Sequence, residues 1–154
     1  MTIDDVWKKM PKTFYLLNSE QCQKLGLNPS QLTRVYQYEN EIAVFNVYEE
    51  GNEFVQVYDK QMDAINKKVK GIKDWNKISP IKPIYYKWAD IKNKKVYFSI
   101  FESYNTLNKL SLQMFVEIEN GCLGISVGIK RKDSLSFEDI LSEPLIKNIL
   151  KVII

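Results

Sequence analysis

Between residues 67 and 88 the chain reads KKVKGIKDWNKISPIKPIYYKW, seven lysines against one carboxylate, Asp74, with Trp75, Tyr85, Tyr86 and Trp88 interleaved. Lysine ammonium groups neutralise phosphates and release their counterions. Tryptophan and tyrosine faces stack on bases. Both parts of nucleic-acid binding are therefore present in one stretch. The candidate contacts are Lys67, Lys68, Lys70, Lys73, Trp75, Lys77, Lys82 and Lys87. Arginine, the usual reader of base edges, occurs only at Arg34 and Arg131, which favours phosphate contact over sequence reading. A plainer account of the same residues is open. Lys67, Lys68 and Lys70 end a helix, where cations complement the dipole, and aromatics on one face of IYYKW would be core.

Other chemistries are narrowed by what is missing. The chain has no histidine, which removes His general bases, Ser-His-Asp and Cys-His nucleophiles, and every His-containing zinc site. Cys22 and Cys122 are too few for a Cys₄ site or a disulfide framework; they read as buried small hydrophobes in a reducing compartment. Metal binding would rest on carboxylates. Asp74 with Asp90 and Lys92 resembles the acid followed by D/E-x-K of metal-dependent nucleases, although ADIKNKK reads as a turn rather than a strand. Glu117 and Glu119 share one face of a strand, where an exposed polar row explains them as well as paired catalysis does. The expectation is a binding protein, not an enzyme, with no cofactor.

A second motif lies upstream. Residues 19–38, SEQCQKLGLNPSQLTRVYQY, set Cys22 on a first helix, Leu25-Gly26-Leu27 at a turn and NPSQLTRV at the start of a second helix with Leu32 and Val35 inward. This pattern resembles the helix-turn-helix motif of DNA-binding regulators. The resemblance implies a recognition helix in the major groove, with Gln31 and Arg34 among its outward readers. The alternative for the same residues is that Gly26 stops a helix, NPS turns, and TRVYQYE is a strand.

These groups must be held by some arrangement of elements. IDDVWKKM spaces Ile3, Val6, Trp7 and Met10 helically, and Pro11 ends the run. TFYLL is a short strand. NSEQCQKLG is a short helix, capped by Asn18 or Ser19 and stopped by Gly26. IAVFNVYEEGNEFVQVYD reads as a hairpin through EEGNE, followed by an amphipathic helix from Asp59 to Gly71 with Met62, Ile65 and Val69 inward. The Pro80–Pro83 stretch reads as an irregular connection. IYYKW and KKVYFSIF are strands, and LSLQMFVEIENGCLGISVGIKRKD turns at Asn120-Gly121. Ser136 and Asp139 form a capping box ahead of an apolar helical stripe that Pro144 divides. Antiparallel hairpins with short helices predict an α+β fold, mainly an antiparallel sheet or open barrel, with residues 1–154 as one domain.

Charge is unevenly placed along this plan. Residues 60–95 carry eleven lysines against three aspartates, +8, between mildly acidic flanks, while the whole chain is +3. The opening MTIDDVWKKM has no apolar core of a signal peptide, and no apolar run is long enough for a membrane span. A cytoplasmic protein without a membrane partner is expected. The leading expectation is a DNA-binding or recognition domain of a bacterial regulator or a defence system of the restriction type. The alternative is a protein-interaction module, such as an immunity or inhibitor protein, clamping an acidic partner.

Overall fold

The computed structural model describes residues 1–73, 81–103, 109–130 and 136–154. Thr2 and Asp5 exchange side-chain and backbone bonds to open α1 (Ile3–Lys9), which buries Val6 and stops short of Pro11. After β1 (Tyr15–Leu16), Asn18 and Gln21 form the same reciprocal cap for α2 (Ser19–Lys24), which buries Cys22. Next come β2 (Thr33–Tyr38), β3 (Glu41–Tyr48) and α3 (Asn52–Val69). Four long strands follow: β4 (Ile81–Ile91), β5 (Lys94–Ser103), β6 (Lys109–Ile118) and β7 (Gly121–Lys130). The expected Ser136–Asp139 capping box opens α4 (Phe137–Ser142), and Pro144 begins α5 (Pro144–Ile153).

All described strand pairs are antiparallel, in one open sheet of order β1-β2-β3-β7-β6-β5-β4. The fold is α+β; the sheet does not close into a barrel. Side chains alternate across β5. Val96, Phe98 and Ile100 join Val6, Phe45, Leu112, Leu123, Ile140 and Ile149 in a large apolar core under α1, α4 and α5. Tyr97 points to the other face, where it packs with Val55 of α3, Phe115 and Cys122. α2 covers the far end of that second face through Cys22, Leu17 and Val35. Three layers result, with helices on both sides of the sheet.

The structure departs from the sequence reading in several places; among them, ADIKNKK is not a turn throughout, since Ala89–Ile91 end β4 and Lys94–Lys95 begin β5, with only Lys92 and Asn93 between them. Residues 33–38 are β2, paired with β3, so the recognition helix expected over NPSQLTRV is absent. Alternate burial of Tyr36 and Val35 on opposite faces outweighs the cap-like Asn28-Pro29 start. The second arm of the hairpin through EEGNE is instead the first half of α3. Val55, Tyr58, Asp59 and Met62 repeat every three or four residues, so a helix brings them to the sheet together. Finally, Pro83 lies within β4, not in an irregular link; the register shifts between Pro83 and Tyr85, and β4 is a sheet edge. A proline and a bulge are tolerated there because the outer side needs no ladder bonds.

Candidate nucleic-acid interface

α3 runs beside β4 in the opposite sense: Asn52 and Gln56 lie near Trp88, while Asp63 and Asn66 reach Tyr86. Its inner face carries polar as well as apolar groups. The Tyr97 hydroxyl donates to Asp59 Oδ1 at 2.6 Å, Tyr58 donates to the buried Ser99 Oγ at 3.0 Å, and Tyr86 donates to Asp63 Oδ1 at 2.9 Å. Asn66 Nδ2 adds a bond to the Tyr86 hydroxyl at 3.3 Å. Burial first, and the Asp59 carboxylate second, hold the Tyr97 phenol far above its ordinary pKa, so it remains a donor. Asp63 is held below the usual carboxylate range by Lys67, 3.0 Å away, and then by Tyr86.

Beside this seam lies an open groove of about 420 Å³ on the α3 side of the sheet. Trp88 stands in it, 40% exposed, with its ring edge-on to Tyr97 at 5.4 Å. Asn52, Gln56, Asp90, Lys95 and Glu117 supply amides, carboxylates and one cation around the indole. Asn52 Nδ2 donates to Glu117 Oε2 at 3.4 Å. A flat ring stacked on Trp88 would find both donors and acceptors at its rim. Glu119, in contrast, falls in the β6–β7 turn rather than beside Glu117 on the strand.

The lysines expected to form one surface are divided by the fold. Lys68, Lys70 and Lys73 are exposed at and beyond the end of α3, and Lys67 there is ion-paired with Asp63. Lys82 and Lys87 are exposed on β4. Lys87 turns to the α4 side, its Nζ 5.1 Å from the Phe137 ring and 5.3 Å from Tyr85, whereas its neighbour Trp88 faces α3. Trp75 and Lys77 lie outside the described residues, as does Asp74.

Arg34 and Gln31 stand apart from all of these. Arg34 is on β2, five strand steps from β4, a separation of about 24 Å at the usual strand spacing. Its guanidinium sits 4.5 Å over the Trp7 ring and its Nη1 donates to the Tyr36 hydroxyl at 3.4 Å. Gln31 is exposed in the turn before β2. Neither can share a ligand of ordinary size with the β4 lysines.

Sequence reasoning missed the Trp88 groove, because Asn52, Gln56 and Glu117 come from α3 and β6 and no local spacing links them to Trp88. It also missed a second cluster, Lys92 with Lys147 and Lys151, which gathers where the β4–β5 turn meets α5. Among the described residues no three His, Cys, Asp or Glu side chains converge as a metal set, and no described helix is long and apolar enough to cross a membrane. No protein-family model, curated protein or solved structure matches the chain.

Proposed function

We propose that the domain binds nucleic acid, DNA in the first instance, as a single strand laid along the β4 edge. The observation that carries this reading is Trp88, an exposed indole in a groove of hydrogen-bonding side chains, on a strand at the edge of the described sheet that also bears Lys82 and Lys87. Because Lys87 and Trp88 point to opposite faces, one ligand meets both only by following the edge itself. The lysines at the end of α3 extend the track past the start of β4. A duplex would need a helix or ribbon to enter its groove, and residues 33–38 are tied into the sheet. Within this reading the domain is the recognition part of a bacterial regulatory or defence system, and it binds rather than catalyses.

Titration with a single-stranded oligonucleotide and its duplex at rising salt tests the proposal. If Lys68, Lys70, Lys73, Lys82 and Lys87 each meet a phosphate, the slope of log K against log salt should be about −3.5, at roughly −0.7 per single-strand contact. Trp88→Ala should lose about 1–3 kcal/mol of affinity, the usual worth of one stacked base. A duplex bound more tightly than its single strand, or binding insensitive to salt, overturns the reading.

The edge position of β4 in the described sheet favours a second reading. No described strand pairs with the outer side of β4, so an extended acidic peptide could add there as an eighth strand. That reading wins if a glutamate-rich peptide binds and an oligonucleotide does not.

A further inference from the structure

The turn between β4 and β5 is tight, with both Lys92 (φ 48°) and Asn93 (φ 67°) in the left-handed region. Asn and Gly suit that conformation; a lysine there is held at some local expense. Lys92 meets the end of α5 across an open groove of about 410 Å³, whose remaining lining is Ile91, Leu150, Ile154, Lys147 and Lys151. None of the three lysines has an ion-pair partner among the described residues. Lys147 and Lys151 are four apart on one helix, so they are a like-charge pair, which weakens a helix. The helix C-terminus would account for Lys151 alone. It does not account for Lys147 a turn earlier, nor for Lys92 on another element.

We infer that this groove is an anion site for a small amphiphile, a phosphate or carboxylate head on an apolar body. Three ammonium groups at the rim would hold the head and relieve their own repulsion. Ile91, Leu150 and Ile154 would cover the apolar body. The volume lies within the roughly 300–1,000 Å³ of small-molecule sites, which favours a free ligand over a macromolecule. The site is separate from the Trp88 groove and does not depend on the nucleic-acid reading.

Calorimetric titration and thermal unfolding of the full chain test it with three probes: octyl phosphate below its critical micelle concentration, inorganic pyrophosphate and neutral octyl glucoside. Octyl phosphate should bind at one site and raise the unfolding midpoint, at least tenfold more tightly than either other probe. The double variant Lys147→Gln/Lys151→Gln should lose at least tenfold in affinity, with an unliganded midpoint equal to or above that of the parent. Lys92→Asn, which suits the turn, should show a similar loss, while Trp88→Ala should bind octyl phosphate unchanged. Pyrophosphate or octyl glucoside binding as tightly as octyl phosphate overturns the amphiphile site. So does absence of octyl phosphate binding, more than one bound molecule per chain, undiminished affinity in the lysine variants, or a loss in Trp88→Ala.

Discussion

The two faces of the sheet are built on different principles. Under α1, α4 and α5 the contacts are almost wholly apolar: Phe45, Phe98, Leu112, Met114, Leu123 and Ile149 are fully buried. Under α3 the contact is shared between rings and hydrogen bonds, with Tyr97, Tyr58 and Tyr86 each donating to a polar group across the seam. Apolar burial is tolerant of position, whereas hydrogen bonds fix one register. The first face therefore supplies most of the stability. The second fixes where α3 lies against β4, and so shapes the groove around Trp88.

The largest effect that would sharpen this contrast is Phe98→Ala. Phe98 is fully buried and edge-on to Phe137 at 5.0 Å, so its truncation should destabilise by about 3–5 kcal/mol in urea unfolding. Tyr97→Phe, on the opposite face of the same strand, should lose about 1.5–3 kcal/mol, the usual worth of a hydrogen bond to a charged group. A negligible loss would break the claim that hydrogen bonds position α3.

Gly124→Ala probes the packing of that second face. A Cβ there would come within 2.7 Å of the Tyr48 ring and 2.9 Å of the Phe115 ring, and over-packing of this kind costs about 1–3 kcal/mol. Tyr85→Phe is the matched control on the apolar face. The Tyr85 ring stacks on Phe137 and its buried hydroxyl has no partner among the described residues, so the change should be neutral or slightly stabilising.

A further small effect is one of pH. Lys67 first, and then Tyr86, favour the ionised form of Asp63, so its folded-state pKa lies below the unfolded one. Its contribution is present above the unfolded value, about 4, and is lost as pH falls through the lower folded value. The stability difference between the parent and Asp63→Asn should therefore shrink as pH is lowered from 5 towards 2. A difference that stays constant over that range would remove Asp63 from the α3–β4 seam.

Much of the fold was legible locally. The hairpin turn before Gly121, the β4–β5 pair, the Ser136 cap and the break at Pro144 are all written in a few neighbouring residues. At Gly121 the close approach of β3 also requires glycine, since a Cβ there would collide with the Tyr48 carbonyl oxygen. Residues 28–38 and 52–59 were harder, because each pattern suits two structures. TRVYQY follows a helix-start signal yet has strand propensity, and NEFVQVYD is β-rich in composition yet helical in spacing.

The candidate site was less legible. From its sequence the chain determined a lysine-rich, aromatic-bearing segment, an absence of histidine chemistry, and an α+β arrangement of antiparallel strands, because composition, capping and hairpin signals act over short range. Which lysines face the same way was decided only by the tertiary structure. Strand alternation sends Lys87 and Trp88 to opposite faces, and sheet order places Arg34 about 24 Å from β4. Lys147 and Lys151 join Lys92 only because α5 ends against the β4–β5 turn. Charge can be counted along a chain, but a binding site is a convergence of side chains in space, and the packing of helices on the sheet sets that convergence.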